Sequence, residues 1–430
     1  MVRLLLASLA LAPVALAMTV PAQAQEETQA SQRLEQRAAD IVAAMRGEAL
    51  YDEVFADAFT SAVPEAQFLA IKGQVEAQFG ALVGVASVEP VTGNAARIAI
   101  RFERGLASGQ FNLQPQEPYA VTGFVISGVE PVDDSAAKLL SDMRALPGDL
   151  SVMVGKLGDP APLLAVDPDE RRAIGSTFKL YVLSALARAV QAGELAWDDV
   201  VTLQSKSFPS GQMQDWPAGA PVTLHTLATL MISTSDNTAT DQLMAAVGRG
   251  RIEAELAAAG HSDPQATLPF MTTREMFLLK SGGSAAVESY RAADIDARRE
   301  MLAALEGTDR DLQTIMAAFG GGPNAIDVEW LASARDIDRL MQRLVSLEDD
   351  TPLSIMGVNT SMPEAARENW DYAGFKGGSE PGVLNLSWLM RDDAGEWWVA
   401  TMSWNDGQAN VDTQQFELLA MRAIALAAGD

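Results

Sequence analysis

In the C-terminal two thirds of this chain, strand-like segments lie at the two ends and a long helical stretch lies between them. Residues 150–156 and 162–166 are short apolar runs of strand length. Residues 372–375, 383–391 and 397–404 read the same way, and Asp392-Asp393-Ala394-Gly395 between the last two is a hairpin turn sequence. From about residue 175 to 328 the pattern is helical, and a last helix over 413–428 carries apolar residues along one side. A sheet must therefore collect strands from both ends of the segment, with the intervening helices covering it. The expected fold is an α/β (α+β) sandwich, an antiparallel sheet with a helical lobe, and the site lies between sheet and lobe.

The first third has a different pattern. Leu34, Ala38, Ile41, Val42 and Met45 recur at helical spacing, and a second helical stretch covers 64–79. Strands follow at 83–88, 95–102, 109–113 and 119–126, with Thr92-Gly93-Asn94 as a turn. This predicts a small α+β domain over 28–130. Residues 131–147 form a connector in which Asp133-Asp134 caps a short helix and Pro147-Gly148 ends it. The larger domain spans 148–430. Residues 1–24 read as an export leader: Arg3, an apolar run over 4–17 too short to span a bilayer, and the small-x-small site Ala22-Gln23-Ala24. Export to the periplasm or the medium follows, with no membrane anchor after cleavage.

Composition removes several chemistries. The chain has no cysteine, which excludes a thiolate nucleophile, thiolate metal sites and disulfides. With two histidines, His225 and His261, a three-imidazole zinc site is impossible. The net charge of −26 argues against nucleic acid, because nothing would neutralise phosphates. No cofactor fingerprint is present, and no G-x-S-x-G elbow supports an α/β-hydrolase. A small-molecule substrate is the expected partner.

Ser176-Thr177-Phe178-Lys179 opens an apolar helix with Ser and Lys on one face, a turn apart. A lysine desolvated there loses its charge and takes the serine proton. Ser176 also sits in a first helical turn, where backbone N–H groups are free to bind an oxyanion. S-x-x-K alone is weak, and Ser135-Ala136-Ala137-Lys138 is a second copy with nothing catalytic after it. The signal strengthens with Ser235-Asp236-Asn237 downstream of a helix and Lys376-Gly377-Gly378 at the end of a strand, the three-part signature of serine β-lactamases and penicillin-binding proteins. Lys280-Ser281-Gly282 matches the third element better as text. It closes a helical run, where a positive last residue and a Gly stop are ordinary, so Lys376 is preferred.

From about residue 148 to 430 the chain resembles class A β-lactamases and their serine-hydrolase relatives, on Ile174-Gly175-Ser176-Thr177-Phe178-Lys179 and Ser233-Thr234-Ser235-Asp236-Asn237-Thr238-Ala239. The two-domain layout is similar to β-lactamase-like esterases of clavulanic acid biosynthesis, which place a small steroid-isomerase-like domain first. The resemblance implies that Ser176 attacks the carbonyl and Lys179 accepts its proton. It implies that Ser235 passes a proton to the leaving group, with Lys376 as electrostatic partner, and that Asn237 holds Lys179 and the substrate amide. The oxyanion hole it implies is the N–H of Ser176 and of Ser379.

Two departures stand out. Gly377 replaces the hydroxyl residue that binds the substrate carboxylate in the family, a loss for which Ser379 compensates only in part. The E-x-x-L-N stretch carrying the deacylation base is also missing, and Glu275 lies near its place, as a base or as a surface helix residue. Residues 283–325 read as an insertion with one amphipathic helix over 286–305 and a flexible Gly320-Gly321-Gly322 joint. Three readings stay open: a β-lactamase, an esterase with little β-lactamase activity, and a penicillin-binding sensor that stays acylated. A D-alanyl-D-alanine peptidase is a fourth.

Overall fold

A computed structural model describes residues 22–132, 134–204, 206–207, 209–308 and 311–429. Most of the expected leader, residues 1–21, lies outside them. The chain divides into two compact units, Met1–Asp133 and Asp134–Asp430. Among the described residues no helix is long and apolar enough to cross a membrane.

In the first unit, helices Ala22–Arg46 and Glu65–Phe79 precede a four-stranded antiparallel sheet in sequence order, Leu82–Thr92, Ala95–Phe102, Gly105–Leu113 and Val121–Pro131. Ala96, Ile98, Ile100 and Phe102 alternate inward and meet Leu34, Ala38 and Ile41 in the unit's core. Three of the strands run longer than their apolar cores, because pairing continues through polar and glycine residues once the neighbouring strand is in register.

The connector helix is Ala136–Arg144, and its cap corrects the sequence expectation. Ser135 caps it, accepting the Lys138 N–H at 3.3 Å. Asp134 instead receives two bonds from Arg422 on the last helix, at 2.6 and 2.9 Å. Asp133 lies outside the described residues. The decoy Ser135-x-x-Lys138 is thus a helix cap.

The second unit's main sheet has the order Tyr372–Glu380, Val383–Arg391, Trp397–Asn405, Asp149–Lys156, Leu164–Val166, antiparallel throughout. Its two faces bury different sets by period-two alternation. Val152, Val154, Trp388, Met390 and Trp398 face Ala136–Arg144 and the last helix, Thr413–Ala428. Met153, Leu389 and Val399 face the helical lobe, built around Lys179–Gln191. On that same lobe face Ser151, Asn385, Ser387, Thr401, Ser403 and Asn405 are buried polar residues. Buried hydroxyls and amides need partners, and these find them in each other and in the segments that cross the sheet.

The lobe contains short strands that helical patterning hid: Arg172–Ala173 pairs with Leu331–Ala332, and Val200–Thr202 with Pro221–Thr223. The insertion holds Ser284–Ala292, Ile295–Ala304 and Leu312–Phe319 rather than one helix over 286–305. The break comes at Asp294, whose carboxylate accepts the Ala297 N–H at 2.9 Å and starts a new helix. His225 is exposed on helix Leu224–Ser233, while His261 is buried with Nε2 bonded to the Leu331 carbonyl at 2.8 Å. Trp216 packs against the lobe core.

Trp330 holds the turn before Ser176. Its ring stacks on Phe178 at 3.7 Å, its Nε1–H donates to the Met271 carbonyl, and its own carbonyl accepts the Ile174 N–H at 3.0 Å. Trp330→Ala should cost about 3–5 kcal/mol in urea denaturation. A change below about 1 kcal/mol would show that the stack does not support the turn.

Candidate active site

Gly175–Phe178 forms a 3₁₀ turn that runs into helix Lys179–Gln191. The sequence suggested an α-helical start. At three residues per turn, Ser176 and Lys179 stack more nearly above one another than in an α-helix. The turn is tied to the sheet from below. Thr177 Oγ1 donates to Asn385 Oδ1 at 2.7 Å, which also accepts from Ser387 Oγ, while Asn385 Nδ2 donates to Ser403 Oγ. Asn405 clamps Ala173 on both its N–H and C=O, at 2.7 and 3.0 Å. The polar lobe face of the sheet therefore fixes the position of Ser176.

The edge strand Tyr372–Glu380 includes the whole Lys376-Gly377-Gly378-Ser379 segment, extending past the expected end at Phe375. Gly378 packs on the serine turn with no room for a side chain. A Cβ there would lie 2.2 Å from the Ile174 oxygen and 2.3 Å from the Ser176 nitrogen. Gly175, at φ +46°, comes close from its own side, since its Cβ would be 3.0 Å from the Ser379 nitrogen. These two glycines bring the backbones of Ser176 and Ser379 together.

Ser235 sits between helices Leu224–Ser233 and Asn237–Val247 at φ +57°, a left-handed conformation that costs a serine about 1 kcal/mol or more. Its neighbours hold it there. Asp236 accepts the Ala239 N–H as helix cap and the Gln212 and Met213 N–H groups on its other oxygen. Asn237 donates its N–H to the Ser210 carbonyl, and Ser210 Oγ donates to the Ser235 carbonyl at 3.0 Å.

Two amines converge on this corner. Lys179 Nζ donates to the Ser235 carbonyl at 2.7 Å, to Ser235 Oγ at 3.1 Å and to Asn237 Oδ1 at 2.8 Å. Lys376 Nζ donates to the same Ser235 Oγ at 3.1 Å and to the Gly377 carbonyl. Burial pushes Lys179 well below the usual ammonium range, and the charge of Lys376 pushes it further. Burial alone brings Lys376 down to about 7. Both effects disfavour the charged form of Lys179 and make its proton easier to remove.

A cavity of about 650 Å³ opens over the corner and is lined by Ser176, Ser235, Asn237, Lys376, Gly377, Gly378 and Ser379. Lys179 lies beneath it, reached through Ser235 and Asn237. One expectation is corrected. Glu275 is not brought to Ser176: it lines a separate depression with Arg249 and Arg274. Its carboxylate is committed, one oxygen to Arg249 at 2.5 Å and the other to the Thr272 N–H at 2.8 Å, closing a capping box on helix Thr273–Ser281. Sequence reasoning missed Ser210, Glu329 and Glu380, which also line the cavity. A turn signal at Pro209-Ser210-Gly211 marks the first; the other two have no local signal.

A family model described as the beta-lactamase enzyme family matches residues 132–357, more than half of the chain. The chain belongs to the beta-lactamase enzyme family. The matched range holds Ser176, Lys179, Ser235 and Asn237 and ends before Lys376. Three solved structures are similar to this beta-lactamase-family chain. A beta-lactamase from Sphaerobacter thermophilus is 22% identical, covers 69% of this chain and 97% of its own, and has a TM-score of 0.48. A beta-lactamase from Chitinophaga pinensis is 16% identical over 68% and 96%, with a TM-score of 0.46. A point mutant of PBP-A, in an acyl-enzyme complex with penicillin G, is 16% identical over 68% and 95%, with a TM-score of 0.46. No curated protein matches the chain.

Gly378→Ala should drive the strand off the serine turn and lower activity by about 100-fold or more, with a reduced melting temperature. Activity within about threefold of the parent would show that the two backbones do not need to touch.

Proposed function

We propose that this serine hydrolase of the β-lactamase type works through an acyl-serine intermediate on β-lactams or related small amides and esters. One observation carries the reading: the buried amine of Lys179, a turn from Ser176, shares a hydroxyl, Ser235 Oγ, with a second amine, that of Lys376. Lys179 takes the Ser176 proton as Oγ attacks the carbonyl carbon. The N–H groups of Ser176 and Ser379 receive the oxyanion, supported by the close backbone approach of their segments. As the C–N or C–O bond breaks, Ser235 passes its proton to the leaving atom and recovers one from the amines beside it. Asn237 holds Lys179 and the substrate amide. Water then cleaves the acyl-serine ester and returns the proton to Ser176.

A second reading, a long-lived acyl-enzyme, is favoured by the commitment of Glu275 to Arg249 and Thr272. Gly377 bears on substrate choice. It offers no hydroxyl to a substrate carboxylate, which favours esters over penicillins. Export, implied by the leader, fits a substrate outside the cytoplasm and belongs to the same proposal.

The test is a chromogenic cephalosporin, a p-nitrophenyl ester and a fluorescent penicillin, each offered to the parent and to Ser176→Ala. The parent should carry one acyl group, on Ser176, and the variant should lose about 10⁴-fold or more in rate. Cephalosporin turnover supports β-lactamase action, ester turnover alone supports an esterase, and a lasting adduct supports the second reading. Unchanged behaviour of the variant in all three would refute the site.

The pH profile is a second test. Burial brings Lys376 down to about 7, so it should lose its charge as pH rises through that value. kcat/KM should fall as pH rises through that value, because Lys376 then no longer supplies charge or a proton beside Ser235. A kcat/KM that stays flat to pH ~9 would contradict the assignment.

A further inference from the structure

Gly377 leaves a gap on the edge strand, and an aromatic ring covers it. Phe375, Gly377 and Ser379 share the sheet face opposite Lys376 and Gly378. They pair with Trp388, Leu386 and Leu384 of the next strand. A Cβ on Gly377 would lie 2.8 Å from Phe375 Cζ. The ring therefore leans along the strand over the place that a serine or threonine side chain would take. Ser379 is two residues further on, about 6.8 Å along the strand, and does not stand in for the missing hydroxyl.

Phe375 is held in that position. Its ring packs on the buried ring of Trp388, with centroids 4.7 Å apart. Trp388 Nε1–H donates to the Thr360 carbonyl at 2.9 Å, and the neighbouring Asn359 donates from Nδ2 to the Ser233 carbonyl at 3.0 Å. Asn359 and Ser361 line the cavity, as does the half-buried Phe375. One buried indole thus ties the ring to the loop that forms another part of the wall.

The surroundings of the ring are apolar or acidic. Leu384 and Leu386 line the cavity, and Glu417 of the last helix is exposed in its lining. Among the described residues Lys376 is the one cationic side chain in the lining, and its Nζ bonds run to Ser235 and to the Gly377 carbonyl. A carboxylate delivered here loses water and meets no hydroxyl at Gly377. A flat uncharged group buries its area against the ring and the leucines.

In the proposed reaction Ser235 and Lys376 serve the leaving atom, so the group bonded to that atom arrives at Gly377 and Phe375. A penicillin brings a carboxylate there, one carbon from its leaving nitrogen. We propose that Phe375 is a specificity-determining residue, whose ring over Gly377 selects esters with an uncharged aryl leaving group and disfavours leaving groups that carry a carboxylate. This rests on the acyl-serine reading above.

Two phenylacetate esters test it, one of meta-hydroxybenzoate and one of its methyl ester, so that only the leaving group changes. In each, Ser176 Oγ bonds the acyl carbon, the C–O bond to the phenol breaks, and the phenol oxygen takes a proton from Ser235. Phenol release in the first turnover is measured on the full chain and divided by the rate of spontaneous hydrolysis. The second-order rate constant should favour the methyl ester about tenfold. The preference should persist in ~0.5 M salt, which screens repulsion of an anion by the chain's net charge of −26. Phe375→Ala should slow the methyl ester about tenfold, and Phe375→Ala combined with Gly377→Thr should bring the two esters within about threefold. No phenol release from either ester, equal rates, or a preference lost at high salt overturns the proposal in the parent alone, so a poorly folding variant does not block the test. A preference unchanged in the folded double variant overturns it as well. Ser176→Ala that releases phenol at the parent rates brings down the acyl-serine reading instead.

Discussion

Two stretches of backbone meet in this protein with no side chain between them, and the rest of the site is arranged around that contact. Gly378 lies against Ile174 and Ser176 where a methyl group would collide, and Gly175 returns the approach toward Ser379. The contact joins a strand near the end of the chain to a turn far earlier in the sequence. It holds because the turn is pinned independently, by Asn385 and Asn405 of the sheet and by the Phe178–Trp330 stack. Polar residues on a buried sheet face cost free energy unless they are paired. Here their pairing positions a hydroxyl.

The electrostatics follow from the same geometry. Once strand and turn are in contact, Lys376 and Lys179 must approach one hydroxyl from two sides. Burial lowers the proton affinity of both amines, and the charge of Lys376 lowers that of Lys179 further. At the other end of the same strand Lys280 bonds both Glu329 and Glu380 in a buried cluster.

Much of this was legible in the sequence because the elements are local. Ser176 and Lys179 are three residues apart, and the Ser235-Asp236-Asn237 corner is contiguous. Lys376 was separable from Lys280 because one sits on a strand pattern and the other at a helix end. The placement of Glu275 misled, although its explanation was also local: Thr272-Thr273-Arg274-Glu275 spells a capping box, which spends the carboxylate on its own helix. Ser210, Asn385, Glu329 and Glu380 carried no signal strong enough to place them, since their roles come from contacts between distant segments. The same is true of Lys280, whose Ser-Gly-Gly stop was readable while its two buried partners were not.

The central claim is that burial beside Lys376 makes Lys179 far easier to deprotonate than an ordinary lysine, and a direct titration tests it. In protein labelled with ¹³Cε-lysine, the resonance lost in Lys179→Arg can be followed across pH. It should titrate well below the ordinary lysine range. A Lys179 resonance that titrates near about 10.4 like a free lysine would contradict the account.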